Sequence, residues 1–213
     1  MDDADSANLK KAPPRLLESF KFPVATAEAR RDLFMGGIRL FTLVFGWIVN
    51  LGHRLEVVRR LALHDPPFFR GFRPFGRLFS RGCAAALAIL AYLAPAAAAA
   101  ACAPEPVSLP SLIASALFFL AIFALPAGMT LYAARGDASL LVRPDRALAR
   151  AVRGGRAYFS AWGIGGLAVA LSFLGSAALG VGFFFTSVWA WQVVGYAFAR
   201  ALVIPSPIDP ERA

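Results

Sequence analysis

The chain has 213 residues, of which 58% are hydrophobic and 16% are charged, and its mean hydropathy is +0.60. Soluble domains usually contain about 45–50% apolar and about 25% charged residues, so this composition excludes an ordinary water-soluble globular domain. The formal charge of +9 is compatible with nucleic-acid binding, but in membrane proteins Lys and Arg usually mark the cytoplasmic loops. We therefore expect the lipid bilayer as the partner and no nucleic acid.

Residues 1–32 mix acidic and basic side chains and include the pair Pro13-Pro14. They lack the basic and apolar regions of a secretory signal. They also contain few large apolar side chains that could be buried in a core. We therefore predict that residues 1–32 form a polar, flexible leader.

Residues 33–52 predict a helix whose placement is ambiguous. Its uncharged part is about 13 residues long, whereas a helix that crosses a bilayer needs about 20 apolar residues. On a helix, Arg39, Thr42 and Asn50 share one face and predict an intramembrane polar stripe. The helix either spans the bilayer, with Arg39 reaching towards an interface, or lies flat on it as an amphipathic helix. The sequence leaves both alternatives open.

Two arginine-rich segments, residues 53–82 and 135–156, separate the apolar runs of the chain. The positive-inside rule places both segments, and with them the carboxyl terminus, on the cytoplasmic side of a bacterial inner membrane. The side of the amino terminus stays open. In each segment four arginines recur at helical spacing, which predicts contacts with anionic lipid headgroups. These eight residues are Arg70, Arg73, Arg77, Arg81, Arg143, Arg146, Arg150 and Arg153.

Four apolar runs, uncharged except for Arg200 near the end of the last one, predict two transmembrane hairpins. The first pairs residues 83–103 with 112–134, and the second pairs 157–178 with 181–202, followed by a short tail at 205–213. The predicted fold is therefore an all-α polytopic transmembrane helix bundle in one domain over residues 33–204. It has four spans plus one amphipathic or spanning helix near the amino terminus.

The apolar runs offer no visible catalytic chemistry. Residues 83–103, 112–134 and 157–199 contain no Asp, Glu, Lys, Arg or His, although intramembrane enzymes and coupled transporters place such groups at depth. His53 and His64 are eleven residues apart, too far to share one metal ion directly, so we expect them in a solvated loop. The sequence thus predicts no catalytic residue, no cofactor and no metal site.

Several short motifs carry a family resemblance. They are Gly52–Arg60 (GHRLEVVRR), Pro66–Phe69 (PPFF), Phe75–Phe79 (FGRLF), Gly82 and Gly195–Arg200 (GYAFAR). Together they resemble the domain of unknown function 4013 family of prokaryotic multi-pass membrane proteins, over most of the chain. The resemblance implies a multi-pass membrane protein without an assigned reaction, and it implies no functional residue.

Two functional hypotheses follow. The first is a non-enzymatic anchor, scaffold or accessory subunit whose basic segments meet lipid headgroups or a protein partner. The second is a passive transport or lipid-handling component, which would be favoured by a polar stripe that faces one cavity on several helices. A membrane enzyme is a third and weaker hypothesis, since it requires Arg39, His53 or the basic segments to form a pocket.

Overall fold

A computed structural model describes residues 13–68, 75–103, 105, 107–177 and 180–203. These residues form α-helices, short 3-10 helices and turns, without a strand, which confirms the all-α prediction. The helices are α1 (Leu16–Lys21), α2 (Ala27–Leu40), α3 (Val44–Ala62), α4 (Phe75–Ala101), α5 (Leu109–Arg135), α6 (Pro144–Ser172) and α7 (Val181–Leu202). The 3-10 helices are Phe22–Val24, Ala138–Leu141 and Phe173–Ala177.

Four helices are long and apolar enough to cross a membrane: α4, α5, α6 with the 3-10 helix that follows it, and α7. This confirms a multi-pass helical bundle with four spans. Helix α7 has the predicted bounds, but α4 begins at Phe75 instead of residue 83 and α5 at Leu109 instead of residue 112. These two helices are longer than the apolar runs because backbone hydrogen bonds continue through flanking polar and charged residues, such as Arg77 and Arg81 in α4 and Ser111 in α5.

The second basic segment is not a separate surface helix. Residues 138–141 form a 3-10 helix with Leu140 and Leu141 buried, and α6 then begins at Pro144 and continues into the span. The backbone of Gly155 departs from helical geometry, with φ of 47°. Because a positive φ is accessible mainly to glycine, this residue forms a kink that separates the basic part of α6 from its apolar part, and α6 consists of two helical stretches on either side of Gly155.

The prediction of a flexible leader is wrong for the described part of residues 1–32. Helix α1 packs on α7, where the indole nitrogen of Trp189 donates to the Phe20 carbonyl oxygen at 3.3 Å. The Tyr196 hydroxyl of α7 likewise donates to the Glu18 carboxylate. These contacts join residues far apart in the chain, so the local polarity of the segment gave no sign of them. Residues 1–12 lie outside the described part.

Residues 33–52 are neither one spanning helix nor one flat helix. The chain turns at 41–43, where Leu43 has φ of 51°, and α2 and α3 then pack antiparallel. The Asn50 side chain donates to the Gly36 carbonyl oxygen at 3.0 Å across this pair. Because the turn falls between Arg39 and Asn50, the predicted continuous polar stripe of Arg39, Thr42 and Asn50 is wrong. Neither α2 nor α3 is among the four spans.

Helix α3 extends through Ala62, so the first ten residues of the predicted basic loop at 53–82 are helical. Two glycines let α3 and α4 approach to backbone contact. A Cβ atom on Gly52 would overlap the Leu78 carbonyl oxygen, and one on Gly82 would overlap the Ile48 carbonyl oxygen. This close crossing holds the charged half of α3 inside the bundle instead of in solvent.

Candidate functional site

The described residues line a cavity with a volume of about 660 Å³. It lies between α3 and the four spanning helices, with the end of α2 at one edge. Its wall is mostly aliphatic and aromatic, and the aromatic lining residues are Trp47, Trp162, Phe183, Phe184, Trp191 and Phe198. Binding sites for small molecules usually measure about 300–1,000 Å³ and have predominantly apolar walls, so size and lining suit a ligand.

Glycines on α6 leave the space of this cavity open. Gly165 and Gly166 both line it, and a Cβ atom added to Gly166 would have no neighbour within 4 Å. A large side chain at this position would therefore extend into free volume. Gly163, three residues earlier on the same helix, also has open space around it but does not line the cavity.

The polar side chains that line the cavity, apart from the tryptophans, are Asn50, His53, Arg54, Ser187 and Gln192. Three of them bond to the protein itself. Asn50 donates to Gly36, His53 pairs with Asp32, and the Ser187 hydroxyl donates to the Phe184 carbonyl oxygen at 3.1 Å. The other two are Arg54, which has no carboxylate partner in the described residues, and Gln192, whose amide has no hydrogen-bond partner there.

His53 and Asp32 form a buried pair that joins α3 to α2. His53 Nε2 lies 3.1 Å from Asp32 Oδ2, and both residues are less than 5% exposed. Burial, together with the positive charges of Arg39 and Arg60, lowers the pKa of His53 to about 4. The imidazole is therefore neutral at pH 7, and in the tautomer with a proton on Nε2 it donates to the carboxylate. The predicted solvated loop is wrong for His53, whereas His64 is exposed.

Arg54 carries its charge between α3, α5 and α7. Its Nη2 atom donates to the Met129 sulfur at 3.2 Å, and its guanidinium carbon lies 5.3 Å from the centre of the Trp191 ring. A thioether is a weak acceptor, and an aromatic face attracts a cation without neutralising it. Among residues in the described ranges, no carboxylate lies within ion-pair distance of Arg54.

Gln192 of α7 is 5% exposed. Neither its Oε1 nor its Nε2 atom has a hydrogen-bond partner within the part of the chain that the structure describes. Buried amides are usually hydrogen-bonded, because leaving such a group without partners costs about 1–3 kcal/mol. Gln192 lines the cavity, and its amide is an unbonded polar group that is covered by protein atoms directly beside it.

Next to the cavity, Glu56 joins several arginines. Its carboxylate lies 3.5 Å from Arg59 and 3.3 Å from Arg60 on α3, and it also contacts Arg81 of α4. Glu56 is 1% exposed. The charge-dense stretch that predicted a loop is thus held inside the bundle by one buried carboxylate. No group of three or more His, Cys, Asp or Glu side chains in the described residues could hold a metal ion.

The eight arginines predicted to contact headgroups fall into three sets. Arg77, Arg143, Arg146 and Arg153 are exposed. Arg81 and Arg150 point into the protein, since Arg81 contacts Glu56 and Arg150 donates to the Leu202 carbonyl oxygen, so the headgroup prediction is wrong for these two. Arg70 and Arg73 lie outside the described residues.

The residues of the predicted polar stripe are separated. Asn50 lines the cavity, whereas the Thr42 hydroxyl is exposed at the turn and donates to the Arg39 carbonyl oxygen at 2.7 Å. Arg54 was missed because its charged neighbours predicted a loop. Gln192 gave a weak signal as the only amide side chain between residues 157 and 199.

Comparisons with known proteins give no relative for this chain. No protein-family model, no curated protein and no solved structure matches it. The resemblance to the domain of unknown function 4013 family therefore stays a prediction, and a functional conclusion depends on the geometry of the site.

Proposed function

We propose that this chain is a non-enzymatic lipid-handling protein that accommodates an acyl chain in the cavity between α3 and the spanning helices. The observation that carries the proposal is the apolar cavity of about 660 Å³ inside a bundle with four candidate spans. An apolar chain is the ligand that such a wall would favour, because every contact removes apolar surface from water or fills a void that otherwise lacks van der Waals partners.

Access to the cavity supports this proposal. Trp47 and Trp191 line it and are 40% and 49% exposed, and Leu43, at the turn between α2 and α3, is 70% exposed. Side chains in the cavity wall with this much exposed surface indicate that protein atoms do not close the cavity on this side. An acyl chain from the surrounding bilayer could therefore enter sideways without crossing an aqueous phase.

The test is native mass spectrometry of the full chain, delipidated in an uncharged detergent and titrated with octadecanol. We expect saturable binding of one molecule per chain. Gly166→Phe adds a ring at a residue that lines the cavity and should occupy part of its volume, so it should weaken binding at least about tenfold, since a few lost methylene contacts at about 0.8 kcal/mol each suffice for that. Gly163→Phe adds the same side chain on the same helix outside the cavity and should bind like the wild type. Equal affinities for all three proteins would contradict the proposal.

A scaffold or accessory-subunit function is the second candidate. It is favoured by the exposed arginines Arg77, Arg143, Arg146 and Arg153, which are available to anionic headgroups or to an acidic partner. We place these residues on the cytoplasmic side of a bacterial inner membrane, with the carboxyl terminus on the same side. Extraction in native-lipid particles followed by mass spectrometry tests this candidate, which requires a stoichiometric protein partner that is missing from an unrelated multi-pass control.

A further inference from the structure

The cavity has a charged group at an unusual depth. Arg54 packs against Gly195 so closely that a Cβ atom on Gly195 would lie 3.0 Å from Arg54 Cγ. Gly195 is seven residues before the end of α7 at Leu202, which corresponds to about 10 Å along a helix. Met129, which accepts from Arg54, is six residues before the end of α5, or about 9 Å. Two spanning helices thus place this cation well inside the bundle, where ionisable groups are costly and usually functional.

The protein does not neutralise Arg54 as it neutralises the neighbouring arginines. Arg59, Arg60 and Arg81 share the Glu56 carboxylate. Within the described part of the chain, Arg54 has only the Met129 sulfur and the Trp191 ring. Arg54 is only partly exposed, and charges that lose much of their hydration are normally paired, because transfer of an isolated ion into a low-dielectric interior is strongly unfavourable. An anion in the cavity would supply the missing charge.

Gln192 provides a second polar group on the same wall. Trp191, which contacts the Arg54 guanidinium, directly precedes it, and Gly195, which contacts the Arg54 stem, is one helical turn later. Positions three apart on a helix share a face, so Gln192 and Gly195 face the same side of α7. The Nε2 atom of Gln192 has no hydrogen-bond partner in the described residues and is covered by protein atoms, so it would donate to an oxygen of the same ligand after a rotation of the side chain towards the cavity.

We propose that Arg54 and Gln192 bind the anionic head of an amphiphile whose acyl chain occupies the cavity. This inference rests on the proposed function, because it assigns the head of a ligand whose chain that proposal places in the apolar space. The recognition chemistry is a carboxylate or phosphate oxygen that accepts from a guanidinium and an amide, an arrangement to which arginine is well suited. A fatty acid and a single-chain phospholipid share this chemistry, whereas a fatty alcohol lacks the anion.

The experiment compares three ligands with the same chain and different heads: octadecanoic acid, octadecyl phosphate and octadecanol. Each is titrated into the delipidated full chain and counted by native mass spectrometry. A hydrogen bond to a charged group is strong enough for about a tenfold to hundredfold difference in Kd, so we expect the two anions to bind at least tenfold tighter than the alcohol. The tighter of the two anions distinguishes a carboxylate from a phosphate head.

Variants test the assignment to these residues. Arg54→Gln should bind both anions as weakly as the alcohol, with the Kd of the alcohol unchanged. Arg153→Gln removes the same charge from an exposed position and should keep the wild-type preference. Gln192→Leu, which introduces no charge change, should reduce the preference severalfold and serves if Arg54→Gln does not fold.

The outcomes separate the two proposals. Binding of the alcohol and the anions with equal affinity to the wild type would overturn the anion site and leave the cavity function standing. An anion preference that Arg54→Gln and Gln192→Leu both retain would also overturn the assignment. No saturable binding of any of the three ligands would overturn the cavity function itself.

Discussion

The substitution Glu56→Gln should lower the free energy of unfolding of the bundle. The effect should be larger than that of replacing an exposed carboxylate by the amide of the same shape. The side chain of Glu56 is 2% exposed, and those of Arg59, Arg60 and Arg81 are 36%, 24% and 22% exposed. Glu56→Gln keeps the shape of the side chain and one acceptor oxygen. It removes the negative charge that the three arginines share.

The magnitude follows from the exposure of each arginine. Arg59 is the most exposed of the three arginines, and it pairs with Glu56 on the same helix. Loss of this ion pair should therefore cost about 0.3–0.5 kcal/mol. Arg60 and Arg81 are more than three-quarters buried, and removal of one partner from a buried pair costs about 3–5 kcal/mol. Because Gln still accepts one hydrogen bond, we expect the lower end, about 3 kcal/mol.

Equilibrium unfolding in mixed micelles of a mild detergent and SDS measures this free energy. Asp145→Asn is the matched control, because Asp145 pairs with Arg143 at 2.9 Å on the surface, where both side chains are well exposed. The control should be indistinguishable from the wild type. A double-mutant cycle with Arg81→Gln should give a coupling free energy above about 1 kcal/mol. A Glu56→Gln variant as stable as Asp145→Asn would refute the reasoning.

Two further predictions concern how α3 is held. Gly52→Leu should prevent α3 from packing on α4, because its Cβ atom would overlap the Leu78 carbonyl oxygen, and the variant should unfold or aggregate in size-exclusion chromatography. The second prediction concerns the wild-type protein. Its free energy of unfolding, measured by the SDS titration, should fall by up to about 3 kcal/mol as the pH drops from 6.5 to 4. In that range the unfolded state binds a proton on His53 that the folded state, with a pKa of about 4, does not bind.

Each has a control. Gly76→Leu adds the same side chain at a position with no atom within 4 Å of the new Cβ, and it should remain monodisperse. If Gly52→Leu behaves like Gly76→Leu, the close crossing is not required. For the pH effect, His53→Gln keeps a donor for Asp32 but cannot titrate, so the loss of stability between pH 6.5 and 5 should largely disappear. An unchanged pH profile in that variant would assign the effect to other groups.

The sequence by itself determined the four spans. Each is a predominantly apolar run of about the length that a bilayer requires, a local property that does not depend on partners. The hydropathy pattern marked the part of each helix that suits lipid, not the full hydrogen-bonded helix. In α7 the helix and the apolar run have the same bounds, so the prediction was correct. In α4 the helix starts eight residues before the apolar run, so hydropathy did not show where it begins.

The tertiary structure alone decided the site. Arg54, Glu56, Arg59 and Arg60 lie close together in the chain and locally indicate a solvated loop, because the energetic cost of burying them depends on partners that the local sequence does not show. Burial becomes possible when Glu56 meets Arg81 of α4 and when Gly52 permits the close crossing. The cavity is a space between helices, so no residue in the sequence specifies it. Only the packing of α3 against the four spans turns a charge in an apparent loop into one that faces an apolar cavity.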